Sequence, residues 1–395
     1  MGAPIRILYV HNGADLYGAS RSLLRLVAAL DRERFASFVV VPTDGPLRPM
    51  LESAGAQVFI HPGLSIVDRW LVKSWRLPLF PFQFVLSVRR LRLLIRRLGI
   101  KVVHTNVGVI PSGALAARLA GVPHIWHIRE WFQEFRGLWQ PYSRYITRNS
   151  HRVIAISEAM AQQFGERRKV VVLHNGIALD EFAVPAAEYA SEFRTRWDLG
   201  AAFVVGCIGR IKLVRKGQEV LVQAMAQLVR TRPDVRCVIV GSVYPGNETH
   251  LEELQRMVND LKLSRHVIFT GEIADPRSVY PALNALVLPS VQPEPLGGVV
   301  MEAMAMGVPV VATNIGGPLE MIVDGETGFL VPPGDSAALA DRLLRLIDDP
   351  TLGQRFAGAA TRRLIEGFAL ADKVRSIERI YTEAVDGMGV TQLPA

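Results

Sequence analysis

Cysteine is nearly absent: the 395 residues hold only Cys207 and Cys237. Both lie in apolar runs, FVVGCIG and VRCVIVG, that read as buried strands, and their spacing suggests neither zinc nor a redox pair. No Asp-x-Asp occurs, and no His, Cys or carboxylate cluster has ligand spacing, so metal dependence is not expected. Gly-x-Ser-x-Gly and a Walker lysine loop are missing too, which argues against hydrolase and P-loop classes. Hydrophobic residues make up 49% of the chain and the mean hydropathy is +0.21. No uncharged apolar run is nonetheless long enough to span a bilayer, which takes about 18 residues. The start, Met1-Gly2-Ala3-Pro4 before IRILYV, shows no secretory signal pattern, so a cytoplasmic location is expected.

Acid is scarce in the first half. Residues 1–190 carry 24 Lys and Arg against 13 Asp and Glu, a balance of +11, and the remainder carries 21 against 24, or −3. The basic partner surface is therefore N-terminal. It lacks a zinc-finger or RRM pattern, so no nucleic acid is expected; an anionic membrane fits its apolar content better.

Apolar runs alternate with helical patterns along the whole length, which predicts α/β architecture with parallel sheets. The length favours two domains, drawn at 1–185 and 186–370, with a C-terminal helix and tail over 371–395. In the first, IRILYVH (5–11) leads through a loop containing Gly13 and Gly18 into the helix RSLLRLVAAL. Those glycines are five apart, so this is not the GxGxxG dinucleotide fingerprint. KVVHTN (101–106) and VPHIWHI put His104, Asn106 and His127 at strand carboxyl ends, where open parallel sheets bind ligands. His124 and His151 read as core residues. In the second domain, FVVGCIGR ends on Arg210, and Lys216-Gly217 opens the helix GQEVLVQAMAQLVR.

The densest chemistry lies between Pro289 and Asp335. Glu294 and Glu302 flank Pro295-Leu296-Gly297-Gly298, where proline disfavours helix before it and the glycines permit a turn. A helix is expected to start near Gly298, its strong formers running to a stop at Gly307. A helix start offers unpaired N–H groups and the positive end of the macrodipole, so the amides of Gly297, Gly298 and Val299 suit a diphosphate. Glu302 is placed to accept from a vicinal diol such as a ribose, and Glu294 faces what hangs from the far phosphate. An acidic early turn that merely complements the dipole gives the same pattern.

The segment resembles the glutamate-x7-glutamate signature of retaining GT-B-fold glycosyltransferases in glycosyltransferase family 4. Gly307-Val308-Pro309-Val310-Val311-Ala312-Thr313, Gly316-Gly317, Glu320 and Gly325-x-x-Gly328-Phe329-Leu330-Val331 are similar to that family as well, and the match is looser in the N-terminal half. The resemblance implies two facing doubly wound Rossmann-like domains with an interdomain cleft. It implies transfer of a sugar from a UDP- or GDP-sugar to an acceptor hydroxyl with retention, the acceptor a glycan or glycolipid in lipid-linked or cell-surface glycan synthesis. The nucleotide-sugar is a substrate, and no cofactor or metal is implied.

Carried over residue by residue, Glu294 holds the donor sugar and His127 assists it. Arg210 and Lys216 neutralise the leaving diphosphate, with Arg215 beside Lys216 leaving that assignment open by one residue. Gly18 approaches the diphosphate, and the Gly271-Glu272-Ile273 turn seats the nucleobase through the main chain at Ile273. Leu296, Gly297, Gly298, Val299 and Glu302 complete the donor site, and His174-Asn175-Gly176-Ile177 resembles the turn into the second domain. The last helix resembles one that crosses back to the first domain. A nucleotide-sugar epimerase, a glycosyl phosphorylase and a non-catalytic transferase-like subunit are the alternatives.

Residues 69–98 carry eight Lys and Arg and no acid, with Trp70, Trp75, Phe80, Phe82 and Phe84 among them. Pro78 and Pro81 preclude one continuous helix, so a helix from about Phe82 to Leu98 is expected. Such a helix suits an anionic membrane surface, which would make the protein peripheral on the inner face of the plasma membrane. Packing of the same helix on the first domain's own sheet is the competing expectation.

Overall fold

In a computed structural model, residues 3–67, 71, 77–132, 136–243 and 246–389 are described. Arg69, Trp70, Lys73, Trp75 and Arg76 of the basic stretch lie outside them. The chain divides into two units, one reaching Gly176 and resuming at Leu370, the other spanning Ile177–Ala369.

The first unit is built on a sheet of seven parallel strands in the order β3-β2-β1-β4-β5-β6-β7. These are β1 (Ile5–Val10), β2 (Phe35–Val41), β3 (Gln57–Ile60), β4 (Val102–Thr105), β5 (His124–Ile128), β6 (Arg152–Ala155) and β7 (Val170–Val172). The strands read as continuous apolar runs because helices cover both faces of the sheet. On one face, α1 (Gly18–Ala29) and the C-terminal helix (Leu370–Gly389) bury Leu23, Leu26, Val374, Ile377 and Tyr381 against Ile7, Tyr9 and Val39. On the other, a helix over Phe80–Leu98 buries Val88, Leu91 and Ile95 against Leu8, Val40 and Val103. That helix has Pro81 in its first turn, where a missing N–H costs nothing, and ends on Gly99 in the left-handed region.

The second unit holds six parallel strands in the order β10-β9-β8-β11-β12-β13. They are β8 (Val204–Ile208), β9 (Arg236–Val240), β10 (Val267–Gly271), β11 (Ala285–Leu288), β12 (Val310–Thr313) and β13 (Phe329–Val331). Cys207 and Cys237 are buried in its core and burial pushes both thiols up, as structural cysteines behave.

Each sheet grows outward in both directions from its first strand. The order therefore reverses beside β1 in one unit, where β4 is the other neighbour, and beside β8 in the other, where β11 is. The crevice at the carboxyl ends of such a strand pair is where open α/β sheets bind ligands.

Candidate functional site

In the second unit, the loops leaving β8 and β11 carry the chemistry. The β8 loop ends at Gly217, which starts the helix Gln218–Leu228. Its φ is +69°, and a Cβ there would stand 1.9 Å from the carbonyl oxygen of Pro289, so only glycine lets the two loops meet. The carbonyl of Arg215 accepts from the amides of Val291 (2.9 Å) and Gln292 (3.2 Å), joining the loops a second time. Lys216 is thereby set beside Glu294, with Nζ 2.7 Å from Oε2.

Glu294 is held from three further directions. Ser290 Oγ donates to the same carboxylate oxygen at 3.0 Å, and the Thr313 hydroxyl anchors the Ser290 carbonyl at 2.7 Å. The Gly317 amide donates to the Glu294 carbonyl at 2.8 Å, and Gly316 bridges to Glu294 so closely that a Cβ would lie 2.3 Å from that oxygen. Burial works against the carboxylate, but the charge and hydrogen bond of Lys216, the Ser290 hydroxyl and the charge of Arg215 outweigh it and hold the group below its ordinary value. Glu294 is thus an anion at neutral pH, an acceptor of hydrogen bonds and not a proton donor.

The expected helix start is present. Gly297 takes φ +89° and the helix runs Gly298–Ala305, presenting first-turn amides without intrahelical partners. Gly298 has no atom within 4 Å of a Cβ position, so packing does not require glycine there. Leu296 is 2% exposed, which leaves its backbone as the part able to meet a ligand. Glu302 is half-buried in the helix and accepts from the Tyr280 hydroxyl at 2.7 Å. Arg210 follows β8, half-buried, its carbonyl held by the Gln218 side chain at 2.9 Å. Ile273 is half-buried just past β10. Among the described residues, no three His, Cys, Asp or Glu side chains are grouped to hold a metal ion.

In the first unit, the carboxyl ends of β1, β4 and β5 feed one polar chain, exposed at Asp15 and buried from Ser20 to Arg129. Asp15 Oδ1 accepts from the Tyr17 amide and the Ser20 hydroxyl (2.9 Å each), Ser20 meets His11 at 3.0 Å, and His11 meets Asn106 at 3.2 Å. Arg129, 8% exposed, donates to the Asn106 carbonyl (3.1 Å), to its side-chain oxygen (3.1 Å) and to Asn175 Oδ1 (2.6 Å). Burial pushes the guanidinium down to about 10, which leaves it a cation at neutral pH. His127 lies in β5, 3% exposed, and burial followed by the charge of Arg129 and the His104 ring hold it well below the ordinary histidine value. Its Nδ1 is 3.3 Å from both His104 Nε2 and Arg129 Nη2, while Nε2 has no hydrogen-bond partner among the described residues. Gly18 opens α1, exposed, with no atom within 4 Å of a Cβ position and no left-handed φ, so neither packing nor turn geometry demands glycine there. His124 is buried between Thr105 and Ser150, and His151 is half-buried.

Several members of these clusters carried no readable signal. Nothing local in the sequence marks Arg129, Ser290, Tyr280 or His11. The adjacency of Asn106 and Arg129 follows from β4 pairing β5, which puts His104 beside Ile125 in register.

Two family models match the chain, one described as Glycosyltransferase Family 4 over residues 17–181 and one as Glycosyl transferases group 1 over residues 202–349. The lipopolysaccharide core biosynthesis mannosyltransferase LpsB of Rhizobium meliloti (strain 1021) is 31% identical over 243 residues, 61% of this chain and 68% of that protein. The GDP-mannose-dependent alpha-(1-6)-phosphatidylinositol monomannoside mannosyltransferase of Mycolicibacterium smegmatis is 37% identical over 200 residues, which cover 48% of this chain. There the chain spans half the length of its relative, 50%. Among solved structures, Anabaena HepE in complex with UDP and glucose aligns over 96% of this chain and 99% of its own at 25% identity and a TM-score of 0.81. The sucrose-phosphate synthase of Thermosynechococcus elongatus shares the fold at 20% identity, with a TM-score of 0.78 over 97% of this chain and 100% of its own.

Proposed function

The chain belongs to the group 1 glycosyltransferases of glycosyltransferase family 4, with the GT-B fold, and from that premise we propose that it moves a sugar from a UDP- or GDP-sugar to an acceptor hydroxyl with retention at the anomeric carbon. The observation that carries the reading is the Lys216–Glu294 pair at the carboxyl ends of β8 and β11, the strand pair where the second sheet reverses. Without donor, the two charges satisfy each other. A donor diphosphate draws Lys216 to its oxygens, together with Arg210 and the amides of Gly298 and Val299, and frees Glu294 to accept from sugar hydroxyls. Fixed cations and a helix start supply the neutralisation of the leaving diphosphate, so no metal is required. Glu302 holds the ribose and the main chain at Ile273 the base. His127 serves the donor sugar.

A thermal-shift screen against UDP, GDP and their sugar conjugates, in chelator, tests this. Saturation at 100 times Kd raises stability by about 2.7 kcal/mol, a readable shift. At least one of the two nucleotides is expected to stabilise the protein, and Glu302→Ala to weaken that nucleotide roughly tenfold or more, the worth of charge-assisted hydrogen bonds. No stabilisation by any of them would overturn the donor assignment.

The acceptor is proposed to be lipid-linked or membrane-borne, and the protein to sit peripherally on an anionic membrane face. No helix among the described residues is long and apolar enough to cross a membrane. The helix Phe80–Leu98, however, has two distinct faces. Val88, Leu91 and Ile95 pack inward, and Phe82 (68% exposed), Val85, Arg89, Leu93 (65% exposed) and Arg96, spaced three and four apart, form the opposite stripe. Leu77 and Leu79 extend its apolar part. The inward face accounts for packing on the unit's own sheet, and the outward one has the composition of an interfacial helix. In liposome flotation, binding is expected to need anionic lipid, to fall with salt, and to drop several-fold when Arg89, Arg90, Arg96 and Arg97 become glutamine. Flotation that ignores those changes, or none at low salt, would remove the membrane from the account.

A further inference from the structure

The first unit contains a line of buried rings leading to His127, and the proposed chemistry uses only that last one. The Tyr381 hydroxyl, on the C-terminal helix, lies 2.6 Å from His104 Nδ1, His104 Nε2 lies 3.3 Å from His127 Nδ1, and Arg129 Nη2 reaches the same Nδ1 at 3.3 Å. Tyr381, His104 and His127 are 0%, 0% and 3% exposed, so water does not compete for these contacts.

The protons in this line follow from one group. A guanidinium only donates, so the His127 Nδ1 that faces Arg129 must be the bare nitrogen of the ring. His104 Nε2 faces that same bare nitrogen and therefore carries a hydrogen. A neutral His104 then has its own Nδ1 bare, so the single hydrogen of the Tyr381 hydroxyl goes to it, and the Tyr9 hydroxyl, 3.1 Å from that of Tyr381, donates to Tyr381 in turn. The reverse arrangement, with Tyr381 accepting, would leave a hydrogen on His127 Nδ1 pointing at the Arg129 cation. Burial supports neutral rings at both positions.

We propose that Tyr381 is a positioning residue which fixes the tautomer of His104, so that His104 joins Arg129 in donating to His127 Nδ1 and His127 carries its hydrogen at Nε2. That Nε2 is the atom without a partner among the described residues. His127 lines a cavity of about 20 Å³ with Ser22, Arg129, Asn175 and Lys373, room for a water-sized oxygen and little more. The ring thus carries a hydrogen-bond donor, not an acceptor, at Nε2. Its engagement with a sugar hydroxyl rests on the proposed function; its tautomer does not. The charged and titratable groups around it are His104 from β4, Arg129 from the end of its own strand and, lining the cavity with it, His174 and, from the C-terminal helix, Lys373.

The test is ring-nitrogen NMR on ligand-free protein labelled with ¹⁵N-histidine, in which only nine histidines give signals. In the wild type, His104 and His127 are both expected as neutral rings with the hydrogen at Nε2, unchanged from pH 8 to pH 5. Tyr381→Phe keeps the buried ring and removes the donor, and is expected to admit the Nδ1–H form of His104, while Arg129 keeps the hydrogen of His127 at Nε2. A hydrogen at Nδ1 of either ring in the wild type would overturn the proposal whether or not the variant folds. So would a folded Tyr381→Phe protein with an unchanged His104 tautomer. None of these readings involves donor or acceptor, so they stand apart from any failure of the transferase reading.

Discussion

Glu294→Gln is expected to lower sugar transfer by about 100-fold or more, the loss seen when one group aimed at developing charge is removed from a water-poor site. The substitution keeps the length of the side chain and its contact with Ser290, so the loop that carries it should hold its shape. What disappears is the negative charge that accepts from sugar hydroxyls and balances Lys216 at 2.7 Å. Lys216 is 27% exposed at its side chain, so water can solvate it once its partner is neutral, and the cost to stability is small. Freed from Glu294, the ammonium is available to phosphate. Affinity for the nucleoside diphosphate should therefore stay level or rise while turnover collapses, as measured by transfer of labelled sugar into a membrane fraction. Loss of both together would mean that Glu294 is a structural partner of Lys216 and nothing more.

Gly217→Ala should be the most damaging single methyl group in the second unit. Alanine at φ +69° is strained by about 1–3 kcal/mol, and a Cβ placed 1.9 Å from the Pro289 carbonyl forces the backbone apart at a further cost of about 1–3 kcal/mol. Together these lower the melting temperature by roughly 10 °C for a unit of this size. The contact joins the two loops that bring Lys216 and Glu294 together, so donor binding should weaken in the protein that still folds. Gly298→Ala makes the opposite comparison. Its Cβ meets nothing within 4 Å and its backbone is ordinary, so calorimetry should find stability nearly unchanged while donor affinity falls, because the methyl enters the space proposed for the diphosphate. A stable Gly217→Ala protein would show that the two loops are not held as described.

Local signals in the sequence had clear physical sources. Apolar runs marked strands because parallel sheets are buried on both faces, and Pro295-Leu296-Gly297-Gly298 marked a helix start because proline and glycine restrict the backbone without help from the rest of the chain. Lys216 and Glu294 were singled out separately, yet their contact spans 78 positions and depends on β8 lying beside β11, an adjacency that no local period encodes. The line from Tyr381 to His104 spans 277 positions and was not legible at all. A buried tyrosine at helical spacing looks the same whether its hydroxyl meets a histidine or not. Arg129 shows the same limit: its place after β5 does not encode its burial, and only the packing of β4 against β5 shows it buried on Asn106.

The most direct measurement is a calorimetric titration of wild type and Glu294→Gln with a nucleoside diphosphate and with its sugar conjugate, in chelator. The account predicts that at least one of UDP and GDP binds both proteins, that the matching nucleotide-sugar binds the wild type more tightly than the bare diphosphate, and that Glu294→Gln erases this gain while leaving the diphosphate affinity level or raised. A wild type that binds no nucleotide-sugar, or a Glu294→Gln protein that loses diphosphate and sugar conjugate alike, would contradict it.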